Sequence, residues 1–286
     1  LQKLLGLKID VDTYVGMQKG VPSLLKILDK LGVKGTFYLS IGPDASGKAI
    51  WQLFHNPLFL KKMWRTNAIG LYGFRTALYG TLLPSPKIAL SFPEIVKEII
   101  SQGHEVQFHA WDHRRWQDEL PDRSSEWICE WFARGVEGFT KLTNQAPTSF
   151  GAPAWLVDDR VMQVIRDYSF DYLSCTRAKA PFIHEDCGLV EIPSDLPCLE
   201  EVGIEHGMEM IVGLLKSGSI HVLPLHAEVE GGFRQQYFVQ LLEKALTMDY
   251  TIIPLEGINK ILPRKELSVR KYQISMLPGR AAPCAC

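Results

Sequence analysis

Short apolar runs and amphipathic helical repeats alternate from one end of this chain to the other, and that alternation narrows its fold more than any other feature. Leu4 to Asp12 (LLGLKIDVD) is an apolar run ending in two acids, and it reads as a buried strand. Pro22 opens a helical pattern through Leu24, Leu25, Ile27, Leu28 and Leu31, and Gly32 closes it. Strands are expected at 33–41, 104–109, 148–152 and 220–226, with a last one at 250–255 and weaker ones at 170–176 and 189–192. Helices are expected over 93–102, from Ser124 or Ser125 to about Thr143, from the Asp158 cap to near Ser169, and over 233–247.

This rhythm predicts a parallel sheet wrapped by helices. A length of 286 residues suits a single distorted (β/α) barrel, which typically needs ~250. A doubly wound open sheet is the rival, but no G-x-G-x-x-G or G-x-x-x-x-G-K-[ST] follows any strand, so nucleotide binding is unsupported. The expected organisation is one α/β barrel over residues 1–264, interrupted by an insert at 45–93, with a C-terminal tail at 265–286. A net charge of −1 gives no whole-chain case for nucleic acid. The six cysteines are scattered without a C-x-x-C pair, which fits a reducing compartment. With no apolar stretch of ~18 residues and no charged-then-apolar leader, a cytoplasmic location is expected.

Barrel chemistry is built at the C-terminal ends of strands, and three polar groups fall there. Asp10 and Asp12 end the first strand, His109-Ala-Trp-Asp-His113 ends the strand from His104, and His226 ends IHVLPLH. Acids in an apolar run are costly unless paired or metal-bound. The i, i+4 spacing of His109 and His113 would put both imidazoles on one face of a helical turn. Two histidines and a carboxylate make a site for one divalent ion with a position open for water. Zn²⁺, Mn²⁺ and Co²⁺ all suit it. Each piece alone has a plainer reading: Asp-x-Asp as turn chemistry, a strand-end His as a hydrogen-bonded structural residue. Their conjunction at strand ends favours the metal.

The order Asp-x-Asp, H-x-x-x-H and a strand-terminal Leu-His resembles the polysaccharide deacetylase (NodB-like) superfamily, over essentially the whole chain. Blocks such as Ile9–Thr13, Gly20-Val-Pro22, Ser40–Asp44, Phe108–His113, Glu191-Ile-Pro193 and His226–Gly231 are similar to one branch of it. That branch removes a formyl group from an aminosugar carried on undecaprenyl phosphate, a step in lipid A modification. The resemblance implies that Asp12, His109 and His113 bind the metal, Asp10 is the general base and His226 the general acid. Trp111, Pro153, Trp155 and Glu230 are candidate substrate contacts, with core packing or ordinary loop acids as the plainer reading. Arg114 and Arg115 could meet substrate phosphates or simply sit on a solvated turn. One departure stands out. The superfamily pairs its base with the arginine of an Arg-x-Pro motif, and here Gly151-Ala-Pro153 puts glycine in that place. Arg160, Arg177 and Arg234 are the candidate replacements. An N-acetyl polysaccharide or peptidoglycan deacetylase is the alternative substrate reading, and a catalytically weak metal- or lipid-binding homologue the alternative class.

The insert has a composition of its own. Between Ala45 and Pro93 there is no Asp or Glu, while Lys48, Lys61, Lys62, Arg65, Arg75 and Lys87 are basic. Trp51, Phe54, Phe59, Trp64, Tyr72, Phe74, Tyr79 and Phe92 are interleaved with them. Basic and aromatic residues without acids suit the headgroup region of an anionic membrane. Lys61, Lys62, Trp64, Arg65 and Arg75 are therefore the candidate membrane-docking residues, for a protein peripheral to the inner membrane. A helical lid packed on the barrel is the plainer reading.

Overall fold

The computed structural model describes residues 2–47, 79–80, 83–280 and 282–286. The first strand, β1 (Lys3–Val11), is the organising element. Successive side chains of a strand point to opposite faces. Leu5, Leu7, Ile9 and Val11 therefore enter the main hydrophobic core under the helices, while Gly6, Lys8, Asp10 and then Asp12 line the other face. The chain continues through a single wide turn (Gly16–Gly20), α1 (Val21–Leu31), β2 (Thr36–Ser40), α2 (Pro93–Ser101) and β3 (Glu105–Ala110). Next come α3 (His113–Glu119), α4 (Ser125–Thr143), β4 (Ser149–Phe150), α5 (Asp159–Ile165), β5 (Tyr172–Leu173), β6 (Phe182–His184) and β7 (Val190–Glu191). The last part holds α6 (Leu199–Val202), α7 (Ile204–Leu214), β8 (Ile220–His226), α8 (Gln235–Thr247), β9 (Tyr250–Ile253), α9 (Leu255–Ile261), β10 (Val269–Arg270), β11 (Ile274–Ser275) and β12 (Cys284–Ala285).

The main sheet runs β10-β6-β7-β5-β4-β3-β2-β1-β8, with β9 also on β1. Its pairs are parallel except β6 with β7. It is a curled half-barrel in a mixed α/β fold, as the alternation predicts. The gap between the β7 side and β8 is crossed by a side chain. Asp195, just past β7, accepts the Val222 backbone N–H at 2.7 Å and sits 2.6 Å from His221 Nδ1.

The expected strands and helices agree with the structure to within a few residues at most ends. The structure adds α3, β6, α6, α7 and α9, which the sequence reading leaves out, although Ile204, Met208, Ile211 and Leu215 mark α7 at helical spacing. The segment beyond residue 264 contributes β10 to the main sheet, and Ala285 of the β11–β12 hairpin is buried in the core. No helix among the described residues is long and apolar enough to cross a membrane. Lys61, Lys62, Trp64, Arg65 and Arg75 lie outside the described residues.

Candidate metal centre

The parallel pairing of β1 with β2 and β8, and of β2 with β3, brings their C-terminal ends to one side. Asp12 leaves β1 there, His109 lies near the end of β3, and His226 ends β8. In the β2–β3 ladder Leu39 pairs with Phe108 and Ser40 with Ala110, so His109 is the extra residue of a bulge. Bulges re-aim the side chain they carry. His113 is the first residue of α3. The two histidines thus come from a strand and from the helix that follows it, not from one helical turn as the spacing suggested. Asp112 makes this possible: its backbone is extended and its carboxylate caps α3 by accepting the Arg115 N–H.

Ligand atoms of Asp12, His109 and His113 all lie within 4.8 Å of one another. His109 Nδ1 is 2.6 Å from the Gly151 carbonyl oxygen, to which it must donate. That bond fixes the tautomer and leaves Nε2 with its lone pair, the arrangement metal-binding histidines use. Nε2 faces Asp12 Oδ1 at 3.1 Å, and His113 Nε2 is 3.4 Å from Asp12 Oδ2. Among the described residues neither Asp12 Oδ1 nor His109 Nε2 has a hydrogen-bond partner. Two buried lone pairs facing each other call for a cation or a proton between them. Burial opposes the charge on Asp12, but the imidazoles of His113 and His109 outweigh it and hold the carboxyl well below its usual range. Burial pushes His113 down to about 4 despite the pull of Asp12, so its ring is neutral at pH 7 and fit to ligate.

Around this cluster stand the proposed base and acid. Asp10 and His226 are register partners across β1 and β8, and His226 Nε2 is 3.9 Å from Asp12 Oδ2. Glu230 is buried and accepts the His226 backbone N–H at 2.9 Å, which ties the loop after β8 to the strand end. The loops after β1 and β8 touch through glycines. A Cβ on Gly231 would stand 2.3 Å from the Gly20 carbonyl oxygen, so the close approach excludes any side chain.

The other expected contacts are placed unequally. Trp111 is half-buried beside the site, with the Lys87 ammonium 5.3 Å from its ring. Pro153 and Trp155 are buried; the Trp155 N–H donates to Ser194 Oγ at 3.2 Å, and its ring packs with Cys198 and Cys284. Trp116, which the sequence places near His113 and which could be either a sugar-stacking or a core residue, is fully buried and packs in the aromatic core against Trp131 and, edge-on, Phe132. Arg114 pairs with Asp118 and Arg115 with Glu119, both as i, i+4 pairs along α3 and not on a turn.

None of the three candidate arginines reaches Asp10. Arg160 is held by Asp158, Arg177 by Glu201 and two carbonyls, and Arg234 lies over the Phe233 ring. The partner of Asp10 is Lys8, whose Nζ is 2.7 Å from Oδ1 and 2.5 Å from Oδ2. The sequence reading missed this residue. The signal was present: a lysine inside an apolar run, two positions before an acid, shares that acid's face of the strand.

The chain is similar to known proteins over most of its length. The polysaccharide deacetylase family model matches residues 2–173. A protein of Shewanella sediminis named "Probable 4-deoxy-4-formamido-L-arabinose-phosphoundecaprenol deformylase ArnD" is 33% identical over 256 residues, covering 87% of this chain and 84% of the relative. A relative of the same name from Wigglesworthia glossinidia brevipalpis is 29% identical, over 93% of this chain and 96% of its own. The crystal structure of a Mycobacterium smegmatis protein described as a polysaccharide deacetylase superposes with a TM-score of 0.68 at 19% identity, covering 97% of this chain and 96% of the other. By its matched domain, its relatives and its half-barrel, this chain belongs to the polysaccharide deacetylase family of amide hydrolases.

Proposed function

We propose that the protein removes the N-formyl group from 4-deoxy-4-formamido-L-arabinose carried on undecaprenyl phosphate, releasing formate and the free aminosugar lipid. The observation that carries the hydrolytic part is the convergence of Asp12, His109 and His113, with the buried lone pairs of Asp12 and His109 facing each other at 3.1 Å. The names of the two relatives supply the substrate. Asp12, His109 and His113 would hold one divalent cation, with zinc first and manganese or cobalt as alternatives. When bound, that cation supplies Lewis acidity toward the amide carbonyl and lowers the pKa of water beside it. Asp10 takes a proton from the attacking water. His226 delivers a proton to the amide nitrogen, which cannot leave as an anion. Water adds to the formyl carbon, the C–N bond breaks, and formate and amine result.

The substrate is a lipid, so the protein must meet it at a bilayer. The basic, aromatic stretch within 45–93, through Lys61, Lys62, Trp64, Arg65 and Arg75, is proposed to dock on the anionic inner-membrane surface from the cytoplasmic side. Incubation of the purified protein with the formamido-arabinose lipid, followed by mass spectrometry, tests the reading. The expected product is lighter by one formyl group, replaced by hydrogen. An unchanged lipid together with deacetylation of an N-acetyl glycan would move the substrate to the polysaccharide class.

A further inference from the structure

We propose that Lys8 is the positioning residue of Asp10, and that Gly151 is small because the Tyr38 ring and the Lys8 stem beside it together occupy the space its side chain would need. The inference rests on Asp10 being the base of the proposed reaction. Lys8 is completely buried, in mid-strand, on the face that carries Asp10 and Asp12. A buried ammonium is costly to desolvate, and a lysine at a purely apolar position would be selected against. Here every feature of its surroundings fits the charge. Its Nζ touches both oxygens of Asp10, so the carboxylate is held from one side.

Two aromatic faces complete the enclosure. Nζ lies 4.9 Å from the Tyr38 ring centre and 5.4 Å from that of Trp155, within the range of cation–π attraction. Both rings are themselves pinned. Tyr38 Oη is 2.7 Å from Ser149 Oγ, and Trp155 donates to Ser194. The ammonium therefore has little freedom to swing away from Asp10.

Position 151 closes the argument. A Cβ built on Gly151 would stand 3.2 Å from Lys8 Cε and 2.8 Å from Tyr38 Cδ1. Gly151 does not have a positive φ, so space and not backbone conformation demands the glycine. Any longer side chain there would compete with Lys8 and Tyr38 for one volume. The chain has supplied the cation from β1 and cleared the facing loop to admit it. The same Gly151 carbonyl orients His109, so one short segment serves both the base and a proposed metal ligand.

The test compares Lys8→Met, which keeps the length and removes the charge, with Lys8→Arg, which keeps the charge. Each is assayed on the formamido-sugar lipid and on 4-nitrophenyl acetate, its metal content is measured, and its crystal structure is determined. Lys8→Met is expected to hold metal like wild type, to lose about 100-fold in kcat with KM little changed, as misplacement of a reacting group does, and to show the Asp10 carboxylate displaced. Lys8→Arg should recover most of the rate. Normal kcat in Lys8→Met, or an Asp10 carboxylate left in place, would overturn the proposal. Wild type that cleaves the ester but not the lipid would refute the substrate reading while leaving the Lys8 comparison readable on the ester. If wild type cleaves neither, the position of Asp10 in the Lys8→Met crystal decides for Lys8. Should Lys8→Met not fold, Lys8→Gln is read in the same way.

Discussion

Asp10 and His226 stand opposite each other in the register of two neighbouring parallel strands, β1 and β8, with Asp12 Oδ2 3.9 Å from the His226 ring. Strand pairing alone therefore places the proposed base and acid beside the proposed metal ligands, before any loop is considered.

The pair makes separable predictions. Asp10→Asn should keep the metal and lose ~10²–10⁴-fold in rate, the usual worth of a general base. His226→Ala should also keep the metal, and should slow amide substrates more than an ester whose leaving group needs no proton. Metal analysis beside rate measurements decides. If His226→Ala emptied the site, His226 would be a ligand and the proton donor would have to be sought elsewhere.

Gly151→Ala should act on two sites at once. The new methyl would press on the Tyr38 ring and approach Lys8. Overpacking of this kind costs typically ~1–3 kcal/mol, read as a lower denaturation midpoint. Turnover should fall as well, because the segment at 151 both abuts Lys8 and supplies the carbonyl that accepts from His109. A variant with wild-type stability and turnover would show that the segment yields freely.

The pH dependence of stability should carry a mark of His104. Its Nδ1 accepts the Gly35 N–H at 3.2 Å, so the native ring is neutral, and burial with help from Lys34 pushes it down to about 4. The unfolded chain takes up its proton near the ordinary 6.5, before the native state does. Stability from this group is thus complete above about pH 6.5 and is lost as pH falls toward 4. His104→Asn keeps an acceptor for Gly35 and removes the titration. Denaturant midpoints at pH 7, 5.5 and 4.5 should fall less steeply in the variant; parallel curves would assign the acid loss to other groups.

Membrane docking by the insert should depend on salt. Each basic side chain near an anionic surface contributes ~1 kcal/mol, and screening weakens it. Flotation should show the protein rising with anionic vesicles and released at high salt. Equal binding to neutral vesicles, or none to either, would leave the lid reading.

Much of this was legible in the sequence because it rests on periodicity. β1, β2, β3 and β8 are read from apolar runs, and Asp12, His109 and His226 fall at or beside their ends by counting. What was not legible depends on pairs distant in sequence or on single backbone choices. The bulge at His109 and the Asp112 cap together convert an i, i+4 spacing into a strand-to-helix site. β6 and β10 are short and find each other across more than eighty residues. The candidate replacements for the missing arginine, Arg160, Arg177 and Arg234, all lie downstream of Gly151. The structure supplied a lysine two residues from the acid it serves, because strand alternation puts both on one face.

Asp12, His109 and His113 are proposed to hold one catalytic cation for amide hydrolysis. The most direct measurement is formate release from the formamido-arabinose lipid while metal is titrated back into chelator-stripped protein. The expected result is no formate without metal, a rise that saturates near one ion per chain, and no rise at all in His109→Ala. Formate released at full rate by the stripped protein, or restored by metal in His109→Ala, would contradict it.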